Sequence, residues 1–308
     1  MKVVFMGTPD FAVNVLQGLI DNYDVCLVVS QPDKMVGRHR EVVNTPVKEL
    51  ALKYNIPVFQ PEKIRENYQR ILDCKPDLIV TCAYGQIIPK ELLDYPELGC
   101  INVHASLLPK LRGGAPIHHA LIDGYEKTGV TIMYMDEKMD SGDIIRQKEI
   151  VIDDSDNLES LYDKLSILGS KLLIETLPSI INKTNARIRQ DEDEVTFGFN
   201  IKREEEKIDF ARKSRDVFNL IRGLSPIPAA NALFDDKEMK IYSCSISNDI
   251  YKGECGQIVD VTKSGIVVKT GDGAIVLEKI KPFGKKMMDS YSFANGIGKE
   301  KLIGKVFK

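Results

Sequence analysis

Val3-Val4-Phe5-Met6-Gly7-Thr8-Pro9-Asp10 decides the fold class. Four consecutive apolar residues suit a strand buried on both faces, the signature of a parallel sheet. Gly7 ends the run, Thr8 is a good helix N-cap, and Pro9 suits a first helical turn. Ala12, Val15, Leu16, Leu19 and Ile20 then recur at helical spacing. Residues 25–29 repeat the apolar run, 47–54 read as a helix, and 78–82 as another buried strand. Short strands alternating with helices imply right-handed βαβ units, and so an α/β fold on a parallel sheet. Such sheets bind ligands beyond the carboxyl ends of their strands. Residues 7–10, 82–86 and 102–106 are therefore expected around a site.

Further along, strands are expected at 100–103, 130–135 and 144–150. A helix over 156–177 opens on Asp156 and Glu159, spaced as a capping box, with Leu158, Leu161, Leu165, Leu168 and Leu172 as its buried stripe. The texture then turns polar and weakly periodic. This divides the chain into a domain over 1–185, a linker over 186–206 and a second domain over 207–308. The second domain reads as one helix, 210–223, and short strands at 230–234, 239–244, 256–261, 266–269 and 274–280. Gly271-Asp272-Gly273 marks a hairpin between the last two. Closely spaced strands of this kind suggest a small β-barrel of the oligonucleotide-binding (OB-like) type.

Composition narrows the function classes. With 308 residues, 43% apolar and 28% charged, the chain is an ordinary globular protein of about two domains. No apolar run is long enough for a membrane span, and the start, Met1-Lys2-Val3, lacks a signal-peptide pattern. Six cysteines without a Cys-x-x-Cys pair read as reduced thiols of a cytoplasmic protein. The net charge of −3 is unevenly divided: residues 1–200 carry 22 Lys and Arg against 30 Asp and Glu, residues 201–308 carry 20 against 15. A basic second part, at +5 beside −8, is the pattern of a region that meets a polyanion. Dinucleotide, P-loop and nucleophile-elbow motifs are missing from their expected places. His118 and His119 are adjacent and diverge on a helix, which makes a poor metal pair, and no metal is expected.

Ile101-Asn102-Val103-His104-Ala105-Ser106-Leu107-Leu108-Pro109 carries the chemistry. Asn102 and His104, two apart at a strand end, share one face. Asp140 lies in a turn, Met139-Asp140-Ser141-Gly142-Asp143, ahead of the next strand. An amide, an imidazole and a carboxylate are the parts for acyl transfer without a covalent nucleophile. The amide and imidazole donate to a developing oxyanion, and the carboxylate orients the ring.

These residues resemble the folate-dependent formyltransferase superfamily. The Asn102-x-His104-x-Ser106-Leu-Leu-Pro109 element is followed by Arg112-Gly-Gly-Ala-Pro116 and, 36 residues after His104, by Asp140-x-Gly142. The likeness continues through Phe5-Met-Gly-Thr-Pro-Asp-Phe-Ala12, Gln31-Pro-Asp-Lys-Met-Val-Gly-Arg38, Ala83-Tyr-Gly-Gln-Ile-Ile-Pro89 and Arg222-Gly-Leu-Ser-Pro226. It implies a Rossmann-like formyltransferase domain followed by the barrel. It also implies the donor 10-formyltetrahydrofolate and, as acceptor, the α-amino group of methionine on initiator tRNA. Asn102, His104 and Asp140 become catalytic, with Asp140 orienting the imidazole and helping to keep it charged. Ser106, Leu107, Leu108 and Pro109, with Tyr84, Gly85, Gln86, Ile87 and Ile88, line the folate pocket. Arg38, Lys281, Lys285 and Lys286 contact tRNA. A monomer working without a metal or a membrane is implied. The chain departs from the pattern in having no Trp, reading Pro226-Ile227-Pro228 where Trp is common, and in a less basic loop, His39-Arg40-Glu41. Rival readings are a sugar-nucleotide N-formyltransferase, a 10-formyltetrahydrofolate hydrolase and a tRNA-binding protein without catalysis.

Overall fold

A computed structural model describes residues 1–36 and 41–308. In chain order the elements are β1 (Lys2–Gly7), α1 (Phe11–Asn22), β2 (Asp24–Val29), β3 (Lys34–Val36), β4 (Glu41–Val43), α2 (Pro46–Lys53), β5 (Val58–Phe59), α3 (Gln69–Asp73), β6 (Leu78–Cys82), α4 (Lys90–Asp94), β7 (Cys100–His104), α5 (Pro116–Ile122), β8 (Lys127–Tyr134), β9 (Ile144–Val151) and α6 (Leu158–Ile181). There follow α7 (Ser214–Leu224), β10 (Ala230–Phe234), β11 (Lys237–Ser247), β12 (Ile258–Thr262), β13 (Gly265–Lys269), β14 (Ala274–Pro282), β15 (Met288–Asp289), α8 (Ser290–Ile297) and α9 (Lys299–Leu302). They divide into two compact units. One holds residues 1–116, 127–151 and 162–199, the other 117–126, 152–161 and 200–308.

The first unit is built on a seven-stranded sheet in the order β5-β2-β1-β6-β7-β8-β9. Val3, Val4, Phe5 and Met6 are all fully buried, as the unbroken apolar run requires. The five strands from β5 to β7 run parallel. β8 alone runs against them, antiparallel to both β7 and β9. A short turn such as the one around Asp140 can join only antiparallel neighbours, whereas a parallel step needs a long crossover. The chain leaves β1 toward β2 on one side and returns with β6 on the other. Their carboxyl ends, Gly7 and Cys82, thus flank the switch point of the sheet.

Two caps differ from the sequence reading. Helix α1 starts two residues later than Thr8 predicts. Thr8 Oγ1 instead donates to Tyr84 O at 3.2 Å, and the amide of Phe11 is satisfied by the Tyr162 hydroxyl at 2.8 Å. At the start of α6 the reciprocal box is made by Asn157 and Ser160, with bonds of 2.9 and 3.1 Å, rather than by Asp156 and Glu159. Asp156 turns back to accept from the Asp153 amide and the Ser160 hydroxyl.

The second unit holds an antiparallel sheet ordered β10-β11-β14-β13-β12, with β15 on β14. The hairpin at 270–273 pairs Lys269 with Ala274. Its core gathers Leu220, Ile221, Ile241, Ile266, Leu277 and Phe307. Among the described residues the edge strands β10 and β12 do not pair with each other. The last residues of the chain bond to both edges: Ile258 N to Lys305 O at 2.8 Å, and Leu233 N to Lys308 O at 2.7 Å. The C-terminal segment thus bonds to both margins of the antiparallel sheet for which the strand spacing predicts a barrel.

His118 of α5 is largely buried, and that burial pushes its pKa down to about 4, the neighbouring His119 adding to the effect. The ordinary value is about 6.5. Between these values the unfolded chain binds the extra proton, so stability falls as pH falls through that window. The expected result is a urea midpoint lower at pH 5 than at pH 7, with His118 accounting for about 1–2 kcal/mol. In His118→Gln the drop shrinks by that amount. An identical drop in both proteins removes His118 as its source.

Candidate functional site

The end of β7 presents the amide and the imidazole. Asn102 pairs with Met133 of β8 and His104 with Thr131, so the two side chains emerge on one face. The Thr81 hydroxyl donates to Asn102 Oδ1 at 2.9 Å. This fixes the amide with its Nδ2 donor turned the other way, without a hydrogen-bond partner among the described residues. His104 is 6% exposed, and its Nε2 lies 3.0 Å from Leu111 O. A carbonyl only accepts, so Nε2 carries a hydrogen and the variable proton of this ring sits at Nδ1.

Asp140 comes to this atom from 36 residues away. Its Oδ1 is 3.7 Å from His104 Nδ1, too long for a hydrogen bond and short enough for electrostatic influence. Oδ2 accepts from Gly113 N at 2.8 Å. Gly113 has φ +119, and a Cβ there would stand 2.8 Å from Gly198 O, so only glycine can offer this amide. Asp140 itself has φ +52, a conformation tolerated by Asp but requiring support. Gln190 supplies it. Its Nε2 donates to Asp140 O and to Gly142 O, both at 2.8 Å. Its Oε1 accepts from Arg112 Nε and Nη2 at 3.0 and 2.8 Å. Arg112 is only 4% exposed and completes its charge pairing with Glu192 at 2.9 Å.

The segments assigned to folate divide into packing and surface. Tyr84 and Ile88 are buried in the core of the first unit, and burial raises the Tyr84 phenol to about 12. Gly85 and Ile87 are exposed. The Gln86 carboxamide bonds Ile64 N, Gln31 and the backbone at 61–62. Ser106 Oγ donates to Lys110 O at 2.6 Å, and Leu108 is buried with Met133 and Ile144. Leu107 and Pro109 are half-buried beside it. What these segments offer a ligand is backbone and the apolar surface of Leu107, Pro109 and Ile87. A separate cavity of about 500 Å³ is lined by Lys90, Asp94, Met135, Asp136, Gly142 and Glu192, and by none of the residues assigned to folate.

In the second unit, Lys281, at the end of β14, and Lys285 and Lys286, just beyond it, are all exposed. The Lys285 ammonium stands 5.6 Å from the centre of the Phe293 ring. Arg38 lies outside the described residues. No group of three His, Cys, Asp or Glu side chains among the described residues is arranged to hold a metal ion. No described helix is long and apolar enough to cross a membrane.

Of three residues that position the site, Thr81 and Gln190 were not singled out in the sequence, and Gly113 was noted only as a glycine that lets backbone approach a ligand. Thr81 carried a signal, as the one hydroxyl in a fully buried apolar strand. Gly113 lay within a quoted motif, Arg112-Gly113-Gly114. Gln190 carried none, because it falls in the polar stretch assigned to a linker. That stretch is bonded to the first unit: Ile188 pairs with Ile144, and Phe197 with Arg112.

Family models for the formyl transferase domain and for the formyl transferase C-terminal domain match residues 1–177 and 200–298. The chain is 52% identical over 308 residues to the methionyl-tRNA formyltransferase of Geobacillus sp. strain WCH70, covering 99% of this chain and 97% of that protein. It is 49% identical to the methionyl-tRNA formyltransferase of Staphylococcus aureus strain MW2, covering 99% and 98%. Among solved structures, the N-formyltransferase of Helicobacter canadensis, in complex with folinic acid and dTDP-3-aminofucose, shares the fold. Its TM-score is 0.70 at 19% identity, over 92% of this chain and all of that one.

Proposed function

The chain belongs to the methionyl-tRNA formyltransferase family, and from that premise we propose the route by which its own residues move the formyl group. The reaction formylates the α-amino group of methionyl-initiator tRNA. The donor in this reading is 10-formyltetrahydrofolate, held against the exposed backbone at 85–87 and the apolar surface of Leu107 and Pro109. A neutral α-amine attacks the formyl carbon, and the carbonyl electron pair moves to oxygen. Asn102 Nδ2 and His104 Nδ1 donate to that oxyanion, because neither has a protein acceptor within bonding distance among the described residues. Asp140 accepts the amine proton, directly or through a water. As the carbonyl re-forms, the bond to the folate nitrogen breaks and that nitrogen takes the proton. The enzyme is expected to work as a cytoplasmic monomer, with its catalytic domain over 1–185, a connecting segment over 186–206 and its tRNA-contacting domain over 207–308.

The observation that carries this reading is the meeting of Asp140 and His104 across 36 residues of chain, both fastened to the loop at 111–113. The experiment is transfer of radiolabelled formyl from 10-formyltetrahydrofolate to methionyl-initiator tRNA. Elongator methionyl-tRNA, an amino-sugar nucleotide and a mixture without acceptor run beside it. Label on the initiator alone is expected. Donor consumption without acceptor identifies a hydrolase, and label on the sugar identifies the rival transferase.

Arg38, Lys281, Lys285 and Lys286 are proposed to contact tRNA phosphates. Each phosphate neutralised adds roughly one to the slope of log affinity against log salt. Lys281→Gln and Lys285→Gln should each weaken initiator tRNA binding and lower that slope by about one. Unchanged slopes exclude those lysines from the interface.

A further inference from the structure

The hairpin from β14 to β15 turns one face wholly to solvent. Lys279 pairs with Asp289 and Ile280 with Met288. The chain reverses at Pro282-Phe283-Gly284-Lys285, where Lys285 N donates to Pro282 O at 3.0 Å. Gly284 has φ +71, the left-handed geometry that the third position of such a turn demands. Burial alternates along the hairpin, as the pleat requires. Positions 279, 281, 283, 285, 287 and 289 are exposed, whereas Ile280, Pro282 and Ser290 are buried. Four of the exposed six are charged, three lysines and one aspartate. The other two are Phe283, 71% exposed, and Met287, 50% exposed. Phe283 is the most exposed aromatic side chain among the described residues, and its ring meets no other ring there. Lys281 stands directly opposite Lys240 of β11, a like-charge pairing that costs stability in a sheet. The Lys240 ammonium turns away to donate to Pro228 O at 2.6 Å. Among the described residues no carboxylate lies within ion-pair distance of Lys279 or Lys281.

We propose that Phe283 is a stacking face for an unpaired base in a loop of the acceptor tRNA, with Lys279 and Lys281 on the phosphates beside that base. The proposal rests on the transfer reading above, which makes the partner a folded RNA. Packing of the second unit gives no reason for a phenyl at the tip of this turn, where it covers nothing of the core. Around it stand cations that lack counter-ions. One surface thus asks for negative charge and for a flat apolar partner together. A nucleotide supplies both, as phosphate and base. Lys281 and Phe283, two residues apart on a strand, are separated by about 6.6 Å, close enough for one nucleotide to meet both. In a double-helical stem each base is already stacked on its neighbours and offers the phenyl no face. In a loop the bases can splay out and stack on an aromatic ring, whatever their identity. The ring therefore selects the loops of the tRNA, whereas the lysines accept its backbone anywhere. The Lys285 ammonium, 5.6 Å from the centre of the Phe293 ring, ties the turn to α8 and holds this face in place.

The test measures binding of uncharged initiator tRNA to the full chain over a series of salt concentrations. An acceptor-stem duplex with the same 3′ end and no loops runs beside it. Phe283→Leu keeps apolar bulk without a ring face, and Phe283→Trp keeps the face. Phe283→Leu is expected to weaken tRNA binding by about 5- to 150-fold, the range of base–aromatic stacking, and to raise KM for methionyl-initiator tRNA while kcat and Tm stay as in the wild type. The slope of log affinity against log salt should not change, because no phosphate contact is lost. That separates the ring from Lys281→Gln, which lowers the slope. Phe283→Trp should bind tRNA at least as well as the wild type, and the stem duplex should bind all three proteins equally. Phe283→Leu with wild-type affinity for tRNA, or with an equal loss on the stem duplex, overturns the proposal. So does binding to phosphatidylglycerol vesicles that needs Phe283 while tRNA affinity does not, an outcome that assigns the face to a membrane. Wild-type protein that neither binds nor formylates initiator tRNA overturns the transfer reading itself.

Discussion

Asp140→Asn should reduce single-turnover formyl transfer by about 10²–10³-fold, the usual consequence of removing one preorganised group from an acyl-transfer site. The substitution is nearly isosteric. An asparagine can still accept from Gly113 N and still occupy φ +52, because Asn tolerates the left-handed region as well as Asp does. Fold and tRNA affinity should therefore survive, and the loss reports chemistry. What disappears is the negative charge 3.7 Å from His104 Nδ1 and the acceptor for the amine proton. Asn102→Ala and His104→Ala should fall by similar factors. Because both donors are proposed to serve one oxyanion, the double variant should be much less than multiplicatively worse. Asp140→Asn retaining a tenth of wild-type transfer, with Tm unchanged, would sink the assignment of the proton acceptor.

Gln190→Leu should destabilise the protein by about 3 kcal/mol and impair transfer as well. Leucine fills similar volume, so a cavity is not the cause. The loss lies in groups left unpaired. Two carbonyls of the Asp140 turn lose their donor, and the Arg112 guanidinium, 4% exposed, loses the acceptor of two of its bonds. Each stranded buried polar group costs about 1–3 kcal/mol, more for a charge. Glu192 still pairs with Arg112 and limits the damage. Freed of its brace, the turn carrying Asp140 should relax from its positive φ, so kcat falls with little change in KM for folate. Urea unfolding and steady-state kinetics read the two effects separately. Gln190→Glu retains the acceptor oxygens facing Arg112 while losing the donor to the carbonyls, and should fall between. Wild-type stability in Gln190→Leu would show that the brace is dispensable.

The parallel half of the first sheet was legible because strands such as 3–6 and 78–82 are apolar without interruption, and nothing but two-sided burial explains that. The antiparallel turn of β8 and β9 was less so. Their residues alternate or run apolar in ways compatible with either direction, and only the short connection through Asp140 decides. The proposed catalytic triplet stood in the sequence as residue types at and beyond strand ends. Its supports did not. The hydrogen bonds of the Gln190 side chain span far along the chain, reaching Arg112 across 78 residues and Asp140 across 50. No periodicity records a bond of that span, and a polar stretch that packs looks like a polar stretch that dangles. For the folate segments, a family motif names residues without saying which way they face: the Gln86 and Ser106 side chains bond backbone, and Tyr84 is buried in the core.

The C-terminal segment has a consequence for biosynthesis. Lys305 and Lys308 supply the carbonyls that satisfy Ile258 and Leu233, and Phe307 rests between Phe210 and Phe234. These residues are made after every strand whose margins they satisfy. Until they clear the exit tunnel, both margins of the second sheet stay open to other extended chains. The first unit can finish earlier. The second sheet's vulnerability to aggregation is therefore concentrated in the interval before this segment emerges.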